Sequence, residues 1–219
     1  MTDALPRRKT YPDKDPAVPK IELLRGSAAT VVGRVFNDLQ QRFPPPSPLV
    51  YHLITSDEAA PLSTRHDLLK VFRRWSDISD ATKDEMETGT AVHHRTTREI
   101  ALLRHTMDRF ESRSSIERAK GVYILAHEYW HVLRVIPSTL APDPFEEGSA
   151  DLFSVIQTFR LTGYEVRPPV LAYSEYMAEV QEIIQTVAPT RMLDWLLESR
   201  HQPDLDAWVK NELDKSKSL

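Results

Sequence analysis

The sequence predicts an α+β protein that is predominantly helical, and three features carry that expectation. Apolar residues recur at helical spacing through most of the chain, short β-branched runs are few, and proline clusters punctuate the segments. At 219 residues the chain can bury one good core. The expected organisation is a tail over residues 1–20 and a single domain over 21–219, of which 172–219 forms a C-terminal helical subregion.

Met1 to Lys20 carries Pro6, Pro12, Pro16 and Pro19 among charges and reads as a tail or surface strap. From Gly26 onward, Val31, Val32, Val35, Phe36 and Leu39 fall on one helical face, with Ser27 as the cap and an end near Phe43. The prolines of 44–48 then force an extended linker. Leu49 to Thr55 is short and β-branched, which suits a strand, with His52 as a packing residue in it. Ser63 opens a second helix through Leu68, Leu69, Val71, Phe72 and Trp75, and Asp77 to Gly89 reads as a loop or short helix.

Between Thr90 and His105 two readings compete. Thr96 with Glu99 suits a capping box, and Ile100, Leu103, Met107 and Phe110 fit a helix, yet Val92 and the cluster Ile100 to Leu103 suit a strand. His93 and His94 are adjacent and share no face of either element, so they read as loop residues, although they are candidates for a second metal or for substrate contact. Ser114 and Glu117 form a further capping-box candidate, opening a helix that Pro137 closes. Gly121 inside it costs about 1 kcal/mol against alanine, so either another backbone passes close by or the helix starts later.

That helix holds the densest chemistry in the chain. His127-Glu128-Tyr129-Trp130-His131 places two imidazoles four residues apart on one face, aimed at one metal ion, with Glu128 beside its open side. Residues 121–133 are apolar almost all round, so the helix is central, and buried histidines need a partner that a metal supplies. The bland alternative is a pair of buried, hydrogen-bonded histidines.

A catalytic zinc site takes three protein ligands and keeps one position open. Arg134 and Pro137 stand where an HExxHxxGxxH pattern would need glycine and histidine, so the third ligand lies further on. Asp143, Pro144 and Glu146 give a helix start with Glu146 spent on capping, which leaves Glu147 free as a candidate. Gly148, Ser149 and Ala150 let this helix approach the first closely, and Asp151, one turn on, can accept the free N–H of a ligating histidine. As a solvated first helical turn, the same acids would need no metal.

The combination His127-Glu128-x-x-His131 and Glu147-x-x-Ala150-Asp151 resembles the gluzincin metallopeptidases, which include thermolysin-like and aminopeptidase-type enzymes. It is most similar to the compact ImmA/IrrE type, whose second motif reads Glu-x-x-Ala-Asn before an apolar pair, here Leu152 and Phe153. The resemblance covers roughly residues 95 to 160. No helix-turn-helix domain precedes the motifs, and the sixteen residues from His131 to Glu147 are fewer than in thermolysin-like enzymes. It implies Zn2+ held by His127, His131 and Glu147, with Glu128 as general base and Asp151 as outer partner of His127. It also implies a zincin-like fold whose small mixed sheet has an antiparallel edge strand ahead of the active-site helix. That places a strand at 99–105, whose free edge would hold an extended peptide.

The expected chemistry is peptide hydrolysis by a zinc-activated water, with Glu128 as base and then as acid. Tyr164, Tyr173, Tyr176 and His201 are candidate donors to the tetrahedral intermediate. Downstream, a helix from the second motif stops at Leu161-Thr-Gly163, Pro168 and Pro169 break the chain, and helical patterns follow at 172–187, 189–198 and 204–213. One of these would wall the substrate cleft.

Composition narrows the partners. A formal charge of −4 with no basic stripe gives nucleic-acid binding no support. Without cysteine, disulfides, thiol nucleophiles and Cys-rich zinc sites are excluded. No secretory signal leads the chain, and no run approaches the roughly eighteen apolar residues of a membrane helix. The expectation is a cytoplasmic zinc metalloendopeptidase acting on a narrow set of protein or peptide substrates. A catalytically silent zinc sensor or scaffold, and a zinc hydrolase of non-peptide amides, are the alternatives.

Overall fold

A computed structural model describes residues 20–45, 49–53, 91–94, 99–133, 144–168, 171–202 and 205–216. The readings of the tail, the helix opened by Ser63, the 77–89 segment, the Thr96 cap, Pro137 and the Asp143 cap lie outside those residues.

The first helices are α1 (Lys20–Leu23) and α2 (Ala28–Arg42). Ser27 caps α2 through its side chain, which accepts from Thr30 N–H, and Phe43 closes it, as the spacing predicts. Its apolar face, Val31, Val32, Val35, Phe36 and Leu39, is buried in the main core. The strands are β1 (Val50–Leu53), β2 (Ala91–His94) and β3 (Glu99–Leu102).

Three strands form one sheet in the order β1-β3-β2, with β1 parallel and β2 antiparallel to β3. The edge strand expected at 99–105 is therefore not an edge. Its residues 99–102 run down the middle of the sheet, parallel to β1 on one side, and both sides are already paired. All four residues of β3 are buried, so no alternation of polar and apolar side chains marks them. His93 and His94 lie in β2, opposite Ile100 and Glu99, and are not loop residues.

The chain turns straight from β3 into α3 (Arg104–Glu111), whose Met107 and Phe110 are buried. The central helix α4 (Ser115–Leu133) begins directly after Ser114. Glu117 does not close a capping box there; its carboxylate accepts from Arg109 at 2.6 Å and Lys120 at 2.5 Å, tying α3 to α4. Gly121 has a reason other than those expected, because a Cβ there would stand 3.0 Å from the Phe110 ring. An aromatic side chain, not a backbone, fills the space.

Beyond α4 come α5 (Pro144–Thr162), α6 (Leu171–Val187), α7 (Met192–Ser199) and α8 (Leu205–Ser216). Gly163 ends α5 with φ 78°, a backbone that side chains disfavour, while its N–H returns to Phe159 O at 2.8 Å. Val180, Ile184, Trp195, Leu196 and Val209 of the last three helices join the same core as α2, α4 and α5. Among the described residues, no helix is long and apolar enough to cross a membrane.

Candidate metal centre

Two helices build the site. In α4, Tyr123, His127 and His131 recur every fourth residue and so stand along one face, while Ala126, Tyr129, Trp130 and Val132 are buried in the core. Pro144 opens α5 with a pre-set φ, putting Glu146 and Glu147 in its first turn and Asp151 one turn further. α4 and α5 pack along one another, so this first turn meets the histidine face.

Three ligand atoms converge. His127 Nε2 lies 3.1 Å from His131 Nε2, and Glu147 reaches them with Oε2 at 3.3 Å from the first and Oε1 at 3.5 Å from the second. A tetrahedral ion with bonds of about 2.0–2.2 Å sets its ligand atoms roughly 3.3–3.6 Å apart; the two separations to Glu147 fall in that range and the 3.1 Å between the imidazoles lies just below it. The donor set, two imidazoles and a carboxylate, suits a borderline metal such as zinc. His127, His131 and Glu147 thus form a group able to hold a metal ion.

The outer nitrogens strengthen that reading. His127 Nδ1 donates to Asp151 Oδ1 at 2.8 Å, and His131 Nδ1 donates to Glu146 Oε1 at 3.0 Å. A carboxylate only accepts, so each Nδ1 carries a proton, and Nε2 is the nitrogen left to face the group. Tyr123 O–H donates to the same Asp151 oxygen that His127 uses. Asp151 is wholly buried, and Glu146 and Tyr123 are 2 % and 3 % exposed, so these bonds are shielded from water.

The imidazoles and carboxylates also act on one another's protons. Burial opposes charge on His127, but the Asp151 and Glu147 carboxylates and the nearby Glu128 charge overcome it, and its pKa is pushed up to about 10. His131 is likewise raised, against burial, by Glu146 and Glu147. Burial raises Glu147, yet the two imidazoles hold it well below the usual carboxylate range. The side chains of His127 and Glu147 remain 13 % and 14 % exposed, whereas His131 is sealed, so the group opens to solvent on the His127 and Glu147 side. Glu128 is at the margin of burial, and its charge acts on His127.

The expectation that Glu146 serves only as a cap is overturned by its bond to His131. Two ligating histidines need two acceptors at their outer nitrogens, and a reading that provides Asp151 alone is one short. That count was the available signal for Glu146; for Tyr123 it was the four-residue spacing to His127. Gly148 also departs from expectation. A Cβ there would overlap the Tyr176 carbonyl of α6, so the small residue also admits α6.

The candidate donors fall after α5, in α6 and after α7. Tyr164 packs beside Ala119, Tyr123, Ile124 and Val166, and Tyr176 offers its main chain to Gly148. His201 is exposed past the end of α7 and accepts from Arg200 Nε at 2.9 Å. Tyr173 falls in α6, and its side chain lies outside the described residues. No protein-family model matches the chain, and no curated protein or solved structure is similar to it beyond chance.

Proposed function

We propose that the protein is a zinc-dependent metallopeptidase of gluzincin type, in which His127, His131 and Glu147 hold the ion. The observation that carries this reading is the convergence of two inward-facing Nε2 atoms and one carboxylate, each imidazole backed by its own buried acid. Structural zinc sites are normally closed by four protein ligands, whereas three ligands with a solvent-facing side are the mark of a catalytic site.

Zinc bound there supplies a Lewis acid that polarises the scissile carbonyl and makes water acidic. Glu128 follows His127 directly in α4, and its charge is felt by that imidazole. From that position its carboxylate takes the proton of the attacking water and delivers it to the departing amide nitrogen, acting as base and then acid. Asp151 and Glu146 keep the imidazoles turned toward the ion through this cycle. The substrate class is a protein or peptide. A glutamate beside the ligands favours hydrolysis over a silent scaffold, which has no use for a base.

Metal analysis and peptide cleavage test the reading together. The purified protein should carry close to one zinc per chain and cut a peptide-library substrate. Glu128→Gln should keep the metal and lose about 10²–10⁴-fold in turnover, the usual scale of general acid–base catalysis. Full activity in a zinc-loaded Gln variant would remove Glu128 from its role, and an empty wild-type protein would end the metal reading.

A further inference from the structure

We infer that Tyr123 and Glu146 are positioning residues of the metal centre, which together with Asp151 hold both imidazoles in the Nδ1–H tautomer. The inference rests on the metal reading above and not on peptide hydrolysis. Asp151 Oδ1 accepts from both Tyr123 O–H and His127 Nδ1–H, whereas its Oδ2 is buried with no hydrogen-bond partner among the described residues. Tyr123 is thus the second donor that decides which carboxylate oxygen faces His127. Remove it, and the carboxylate can turn to spread its two oxygens over one remaining donor. The imidazole then loses the contact that aims its Nε2.

Glu146 works on the other ring. Its carboxylate and the His131 imidazole are 1 % and 2 % exposed, so water cannot replace either partner. Without an acceptor at Nδ1, His131 gains nothing by keeping its proton there, and the alternative tautomer points an N–H at the metal position. A glutamine keeps an acceptor oxygen within reach, and an aliphatic side chain does not.

The test is zinc affinity by chelator competition, with the visible absorption of the cobalt-loaded protein as a second readout. Tyr123→Phe and Glu146→Leu should each weaken zinc by about 10–100-fold, the range that loss of an outer-shell partner commonly costs, and should change the cobalt spectrum. Glu146→Gln should recover part of the Glu146→Leu loss. Tyr129→Phe is the control: Tyr129 is on the same helix, wholly buried, and donates to Phe43 O at 2.8 Å on the core side. It should destabilise the fold and leave zinc affinity and the cobalt spectrum unchanged.

Wild-type affinity and spectrum in Tyr123→Phe and Glu146→Leu would overturn the inference, as would an equal loss in Tyr129→Phe. If the affinity pattern holds and no peptide is cut, the positioning roles stand and the peptidase reading fails.

Discussion

At the scale of single residues, each side chain around the centre answers a requirement set by its neighbour. An imidazole can offer a lone pair at one nitrogen only if the other is protonated, and a buried proton needs an acceptor. Asp151 and Glu146 meet that need, and Glu147 completes the proposed ligand set. Ligand and outer-shell acid therefore differ in what their loss does. Glu147→Ala should cost more zinc affinity than the roughly 10–100-fold assigned to an outer partner, with Glu147→Asp in between because its carboxylate is one methylene short. Titrating zinc into the three proteins against a chelator measures the order. A Glu147→Ala protein that binds zinc like wild type would remove Glu147 from the ligand set.

At the scale of elements, the centre depends on how closely helices are allowed to approach. Gly148 adjoins Glu147 and lies against the main chain of α6, where a Cβ would overlap the Tyr176 carbonyl oxygen. A main-chain atom cannot swing aside, so Gly148→Ala should destabilise the protein by about 1–3 kcal/mol through overpacking and weaken zinc as the first turn of α5 shifts. Gly121→Ala should cost less. Its Cβ meets the Phe110 ring at 3.0 Å, a side chain that can give way, and it gains about 1 kcal/mol of helix propensity. Urea unfolding of the two variants decides the order.

The junction of α3 and α4 makes a pH prediction. Lys120 and Arg109 lower the Glu117 pKa in the folded protein, with burial opposing them only in part. A carboxylate with a depressed folded pKa contributes stability above its unfolded value and loses it as pH falls through the folded one. The effect is small for a surface pair. Glu117→Gln should thus narrow the stability difference between neutral and acid solution, measured as denaturation midpoints, and salt should have a similar effect.

At the scale of the whole molecule, α2, α4, α5 and the three C-terminal helices share one core, with Trp195 bridging Phe145 of α5 and Trp208 of α8. A metal held across α4 and α5, as proposed, would then be coupled to global folding. At a thousandfold excess of zinc over its dissociation constant, linkage adds about 4 kcal/mol, and for a chain of this size that is roughly 8–16 °C in Tm. Chelator should lower the wild-type Tm by that order in a calorimetric scan and leave Glu147→Ala nearly unmoved. An identical Tm with and without chelator would separate the centre from the stability of the fold.

Local pattern alone determined a good part of this protein. Helical spacing marks α2 from Ser27 to Phe43, the central α4 and the stop of α5 at Gly163, because propensity, capping and burial periodicity are properties of neighbouring residues. The four-residue interval of His127 and His131 belongs to the same class. Tertiary structure decided what depends on residues far apart meeting. It placed 99–102 between two strands, a position no alternation could announce once both faces are buried. It set Phe110 against Gly121 and α6 against Gly148. It also made Glu146 the acceptor for His131, since which of two consecutive glutamates faces which imidazole depends on the rotation of α5 against α4. That rotation is settled by the packing of the whole core.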